Sequence, residues 1–235
     1  MEAPTRQPIR GPVFIRLLAG VAGLPTQATD RTLLEQLGQW LDWNRAVALS
    51  RALDGRTADG GAGEASIGGL ADECSRLREA IGDAIADADA WAAATASDET
   101  TDAASEYATL RQRYQKLQHS MQAATGRLRG QLRDRLAQGD GGQARLAEID
   151  AVMEGVLSPR EHGLLAAVPE LLGRQYQRLH ASASSDNDAG DAMPAPNRAQ
   201  AWRQDFRRDL QTLLRAELDL RFAPIDALLE AARTH

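Results

Sequence analysis

The sequence predicts an all-α protein, an elongated helical bundle with a long antiparallel coiled-coil-like hairpin. Three observations predict it. Aromatic residues are only 4% of the 235 residues, and the good helix formers Ala, Leu, Arg, Gln and Glu dominate. Apolar residues recur at three- and four-residue spacing along most of the chain. No pair of alternating apolar–polar runs joined by turn residues marks a β-hairpin. At 43% hydrophobic, the chain has enough apolar material for a core.

The elements follow in order. Residues 1–10 hold two prolines and little pattern, and read as a loose arm. A short helix is expected from Pro12, well placed at a first helical position, to about Ala22, ended by Gly23 and Pro25. "TLLE" (Thr32–Glu35) is a capping box that opens a second helix reaching Leu53. Its apolar stripe runs through Leu33, Leu37, Trp40, Leu41, Val47 and Ala48, with Trp43 at the margin. The glycine-rich run Asp54–Gly69 reads as a flexible linker.

Leu70, Cys74, Leu77, Ile81, Ala84, Ala88 and Trp91 then form a heptad seam on a helix over about 70–94. A second seam, Tyr107, Leu110, Tyr114, Leu117, Met121, Ala124 and Leu128, continues to Leu132 and Leu136 on a helix over 103–137. Charge supports pairing the two. Residues 54–105 carry twelve acids against three arginines, and residues 106–138 carry seven bases against two acids. Exposed pairs add only about 0–1 kcal/mol each, so charge selects the partner while the seams supply stability.

After the turn "QGDGG", a helix is expected over Gln143–Val156. "SPRE" (Ser158–Glu161) reads as another capping box, with Pro159 opening a helix to about His180 that Pro169 must kink or restart. "ASASSDNDAGDAMPAPN" (Ala181–Asn197) is too polar to pack and reads as disordered. The last helix, about Arg198–Arg233, carries Trp202, Phe206, Leu210, Leu213, Leu214, Leu218, Phe222, Ile225 and Leu229, with a bend expected at Pro224. The predicted organisation is therefore N-terminal body helices (1–53), a linker (54–69), an α-hairpin arm (70–138), central body helices (143–181), a disordered linker (182–197) and a C-terminal body helix (198–235).

Little in this pattern carries chemistry. The one cysteine, Cys74, lies in a seam and reads as a small buried hydrophobe. None of the four histidines has a second histidine three or four residues on, and "REHGL" lacks the zinc-protease spacing. Asp150 and Glu154 share a helix face, as surface carboxylates commonly do. No phosphate loop or nucleophile elbow occurs. The sequence therefore predicts neither catalytic, cofactor-binding nor metal-binding residues, and no enzyme. Net charge is −6, against a general polyanion binder. No window approaches a membrane span and no secretory signal is recognisable, so a cytoplasmic location is expected.

Five stretches together carry a family resemblance: "RGPVFIRLLAGVAG", "LGQWLDWNRAVALSRAL", "LRQRYQKLQHSMQAATGRLR", "SPREHGLLAAVPELLGRQYQRL" and "FRRDLQTLLRAELDLRFAPIDALLEA". They resemble an uncharacterised proteobacterial family, the domain of unknown function numbered three-three-four-eight. Trp40–Asp42–Trp43 and the final leucine-rich helix are its more specific parts. That resemblance brings no catalytic or ligand residues; it implies a cytoplasmic accessory of a cell-envelope complex.

The expected function is protein–protein interaction as a scaffold or adaptor, with Trp43, Tyr176 and Trp202 as partner contacts. The alanine-rich seams also leave room for a homodimer. The alternative is nucleic-acid binding through the arginine-rich face of the 103–137 helix, with Arg127, Arg129 and Arg133 as phosphate contacts.

Overall fold

The computed structural model describes residues 13–23, 41–54, 65–93, 103–187 and 195–233. The N-terminal arm, Pro12, the Thr32–Glu35 capping box, Trp40 and most of the glycine-rich linker lie outside the described residues. So do residues 94–102 and 188–194. The described residues form helices and turns with no strand, as the composition predicts.

Helix α1 spans Val13–Ala22 and turns its Phe14, Ala19 and Ala22 inward. It stops where expected: Gly23 adopts a positive φ of 64°, and Arg178 donates to the Ala22 carbonyl at 2.7 Å. Helix α2 spans Trp43–Asp54 and is capped by Asp42, whose carboxylate accepts the Arg45 N–H at 2.9 Å. Helix α3 spans Ala65–Ala86, so the last five residues of the predicted linker are helical. Asp87 ends it and caps the short α4, Ala88–Ala93, by accepting the Ala90 N–H at 3.0 Å. The unbroken 70–94 helix expected from the seam is thus two helices.

Helix α5, Ala103–Leu136, matches its prediction to within one residue. Asp140 caps α6, Gly141–Ala166, which runs straight through Pro159. The helix start expected at "SPRE" is therefore not used. Pro159 removes the N–H that the Gly155 carbonyl would accept, but Gly155 is on the exposed side of α6, where that loss costs least. The break comes instead at Ala167, ahead of Pro169, and α7 spans Val168–Asn187. Helix α8, Ala195–Arg233, contains Pro224. Residues 181–187 and 195–197 of the predicted disordered linker are accordingly helical.

The core lies where α5 and α8 meet. Helix α3 packs on both, and α7 joins the pair from another side together with α1. Helix α2 lies on α6. The expected arm is thus corrected in one respect. Its two apolar strips do touch, but α8 covers them as well, so α3 and α5 belong to the body rather than to a projecting hairpin.

The α8 stripe is buried almost as read, from Phe206 through Leu229. The α3 seam departs from it: Ala84 is exposed and Ile85 is fully buried. A straight helix of 3.6 residues per turn drifts from a strict heptad, so the inward position moves on by one residue.

Candidate functional site

The orphan carbonyls at the end of α3 are satisfied by side chains. Trp91 donates its indole N–H to Ile85 at 2.8 Å, Gln211 reaches the same carbonyl at 3.1 Å, and Arg113 donates to Ala84 at 3.0 Å. Arg113 also lies over the Trp91 ring at 4.8 Å. These contacts tie the C-terminal end of α3 to α4, α5 and α8, and they use up polar groups that a ligand would otherwise meet.

The α6–α7 break is stitched to α5 in the same way. Pro169 has no N–H to give the Leu165 carbonyl, and Gln118 supplies the missing donor at 3.2 Å. The Tyr107 hydroxyl donates to the Pro169 carbonyl itself. Gln118 also donates to Glu217 at 2.9 Å. Glu217 is 0% exposed; it accepts from Arg221 Nε at 3.0 Å and from Nη2 at 2.8 Å. Burial pushes its carboxyl above the usual range, opposed by Gln118 and Arg221. Neither Gln118 nor Glu217 was singled out from sequence. Both fall on helix faces whose neighbours are apolar, which was the only available signal.

Around this network opens a cleft of about 510 Å³, walled by α5, α6 and α8. Gln122, Thr125, Gly126 and Arg129 line it from α5, and Arg221 and Pro224 from α8. Glu154, Gly155, Ser158, Pro159, Glu161 and His162 line it from α6. Two helix-interior prolines therefore sit on facing walls. The charged groups are largely paired. Arg129 forks onto Asp150 at 2.6 and 2.9 Å, and Arg133 bonds Glu154 and lies 3.4 Å from Asp150.

The candidate residues fall into two groups. Trp43 is 80% exposed, on the first turn of α2. Tyr176 is 1% exposed, its ring 5.1 Å from both Trp202 and Phe206 and 5.5 Å from Tyr107. It is thus a core residue, and its proposed role as a partner contact is corrected. Sequence spacing could not show this, because four aromatics from three helices converge there. Trp202 is partly buried in the same cluster, with Arg203 over its outer face at 5.2 Å.

Of the three arginines offered to nucleic acid, Arg127 is exposed, while Arg129 and Arg133 are held by Asp150 and Glu154. The counter-charges to this part of α5 come from α6. Among the described residues, Arg113, 3.9 Å from Asp87, is the one that meets the acidic segment as the charge pattern predicted. Cys74 is buried, and burial with nearby Asp226 and Glu73 pushes its thiol up, away from reactivity. Among the described residues no group of His, Cys, Asp and Glu is arranged to hold a metal ion. None of the described helices is long and apolar enough to cross a membrane.

The model of a family described as "Protein of unknown function (DUF3348)" matches residues 1–234, and the chain belongs to that family. Neither the curated proteins nor the solved structures give a match.

Proposed function

We propose that this chain is a non-enzymatic adaptor that binds a protein partner through the surface around Trp43, in the cytoplasm and as an accessory of a cell-envelope complex. The exposed indole carries the reading. The buried Trp91 contributes to the core, whereas Trp43 is 80% exposed on a helix that lies on α6. Covering about 200 Å² of indole at ~25 cal/mol per Å² is worth on the order of 5 kcal/mol before the costs of association. Exposed aromatics of this kind are the usual anchors of interfaces. The family resemblance supplies the envelope-accessory part.

The pairing of Arg129 and Arg133 supports interaction over phosphate binding. To reach a phosphate, each would have to leave a carboxylate that it already bonds. The test is affinity purification of the full chain from its native host, with Trp43→Ala beside the parent. Since the indole is exposed, the variant keeps its helicity by circular dichroism. A partner that co-purifies with the parent is lost with the variant. Recovery of the same proteins at the same yield from both would overturn the reading.

A further inference from the structure

The pairing of charges around the cleft leaves one carboxylate only partly engaged. Arg129 and Arg133 are balanced by Asp150 and Glu154. Arg221 gives both Nε and Nη2 to Glu217, so Glu161 receives only its remaining nitrogen, at 3.4 Å. Glu161 is 37% exposed and lines the opening. The Gly155 carbonyl, deprived of its helix donor by Pro159, belongs to the same wall. Added Cβ atoms at Gly155 and Gly126 would meet nothing within 4 Å, so the space between the walls is open. The groups with unused capacity here are therefore acceptors.

We infer that this cleft is a binding site for an alkylguanidinium group. A planar guanidinium offers several donors in a fixed fork, which suits a carboxylate and a carbonyl on one wall better than the point charge of an ammonium does. The Pro159 and Pro224 rings flank the space and give the methylene stem an apolar surface. The guanidinium would come from an arginine side chain of a bound partner or from a free guanidine. The inference rests on the adaptor reading only for the first of these sources.

The full chain, labelled with nitrogen-15, is titrated with N-acetyl-arginine methylamide, its neutral isostere N-acetyl-citrulline methylamide, ethylguanidine and putrescine. The arginine probe is expected to shift the amide resonances of Gly155, Glu161 and His162 saturably, and the citrulline probe to leave them in place. Glu161→Gln, at a half-exposed position, weakens the response about tenfold. Gly155→Leu fills the space without changing charge and abolishes it. Tighter binding of the arginine probe than of ethylguanidine assigns the source to a peptide side chain, and equal binding assigns it to a free guanidine. No saturable shift, an equal response to citrulline, or tighter binding of putrescine overturns the inference. The Trp43 purification touches none of these groups, so the two ideas fail separately.

Discussion

Raising the pH should unfold this protein through its tyrosines. The chain has three, and all three are held protonated in the fold. Burial is the main cause each time, and a carboxylate lies beside two of them: Glu217 by Tyr114 and Glu106 by Tyr176. In the unfolded chain each phenol ionises near 10. Below that value the folded and unfolded chains bind the same tyrosine protons, and the stabilisation is intact. Above it the unfolded chain sheds up to three protons that the fold keeps. Three protons at ~1.4 kcal/mol each give a loss of up to about 4 kcal/mol per pH unit. A domain with about 5–15 kcal/mol in hand is then unfolded within a few units. The assay follows helicity by circular dichroism and tyrosinate by near-ultraviolet absorbance in one titration. The two transitions should coincide, steeper than a one-proton curve. Tyrosinate appearing with a midpoint near 10 while helicity stays whole would refute the reasoning.

The helix glycines give a prediction of opposite signs. A Cβ on Gly173 would lie 2.7 Å from the Tyr107 ring, so Gly173→Ala should destabilise by about 1–3 kcal/mol despite alanine's helix preference. Gly130→Ala meets open space and should stabilise by up to about 1 kcal/mol; urea midpoints of the same sign would sink this contrast. Gln118→Leu removes a donor from both the Leu165 carbonyl and one buried Glu217 oxygen, and should cost about 2–4 kcal/mol by urea denaturation, where a loss under about 0.5 would show the network to be dispensable. Glu217 keeps its proton to higher pH in the fold than in the unfolded chain, so its contribution declines as pH rises above about 4.5 toward its raised folded value. Glu217→Gln should flatten that part of the stability–pH curve, and a curve parallel to the parent's would place the slope elsewhere.

What was legible in the sequence was whatever depends on one helix at a time. The stripe of α8 and the ends of α5 follow from spacing and composition, and they appear as read. What misled was punctuation. Pro159 and Pro169 are locally equivalent breakers, and only "SPRE" carries a capping signature, yet the chain breaks at Pro169. The difference lies in tertiary partners. At Pro169 the freed carbonyl is buried beside Gln118, and Tyr107 takes the next carbonyl, so a turn is held in place from α5. At Pro159 the freed carbonyl belongs to an exposed glycine, and the helix continues past it. The seam of α3 failed for a similar reason, since Ala84 and Ile85 are distinguished only by where α8 lies.

The same logic explains why the candidate contacts divided. Trp43, Tyr176 and Trp202 are large side chains, and a large side chain has no fate until its neighbours are placed. Tyr176 faces Phe206 and Tyr107 across helices far apart in sequence, so long-range packing buries it. Trp43 begins a helix whose packing partner is α6, and α2 turns Ala52 rather than the indole inward. A tryptophan at that position is not needed for the fold described here: an alanine there would leave α2 its Asp42 cap and its contact with α6. Under the proposed adaptor role, covering that indole on a partner is what would give its hydrophobic surface an energetic use.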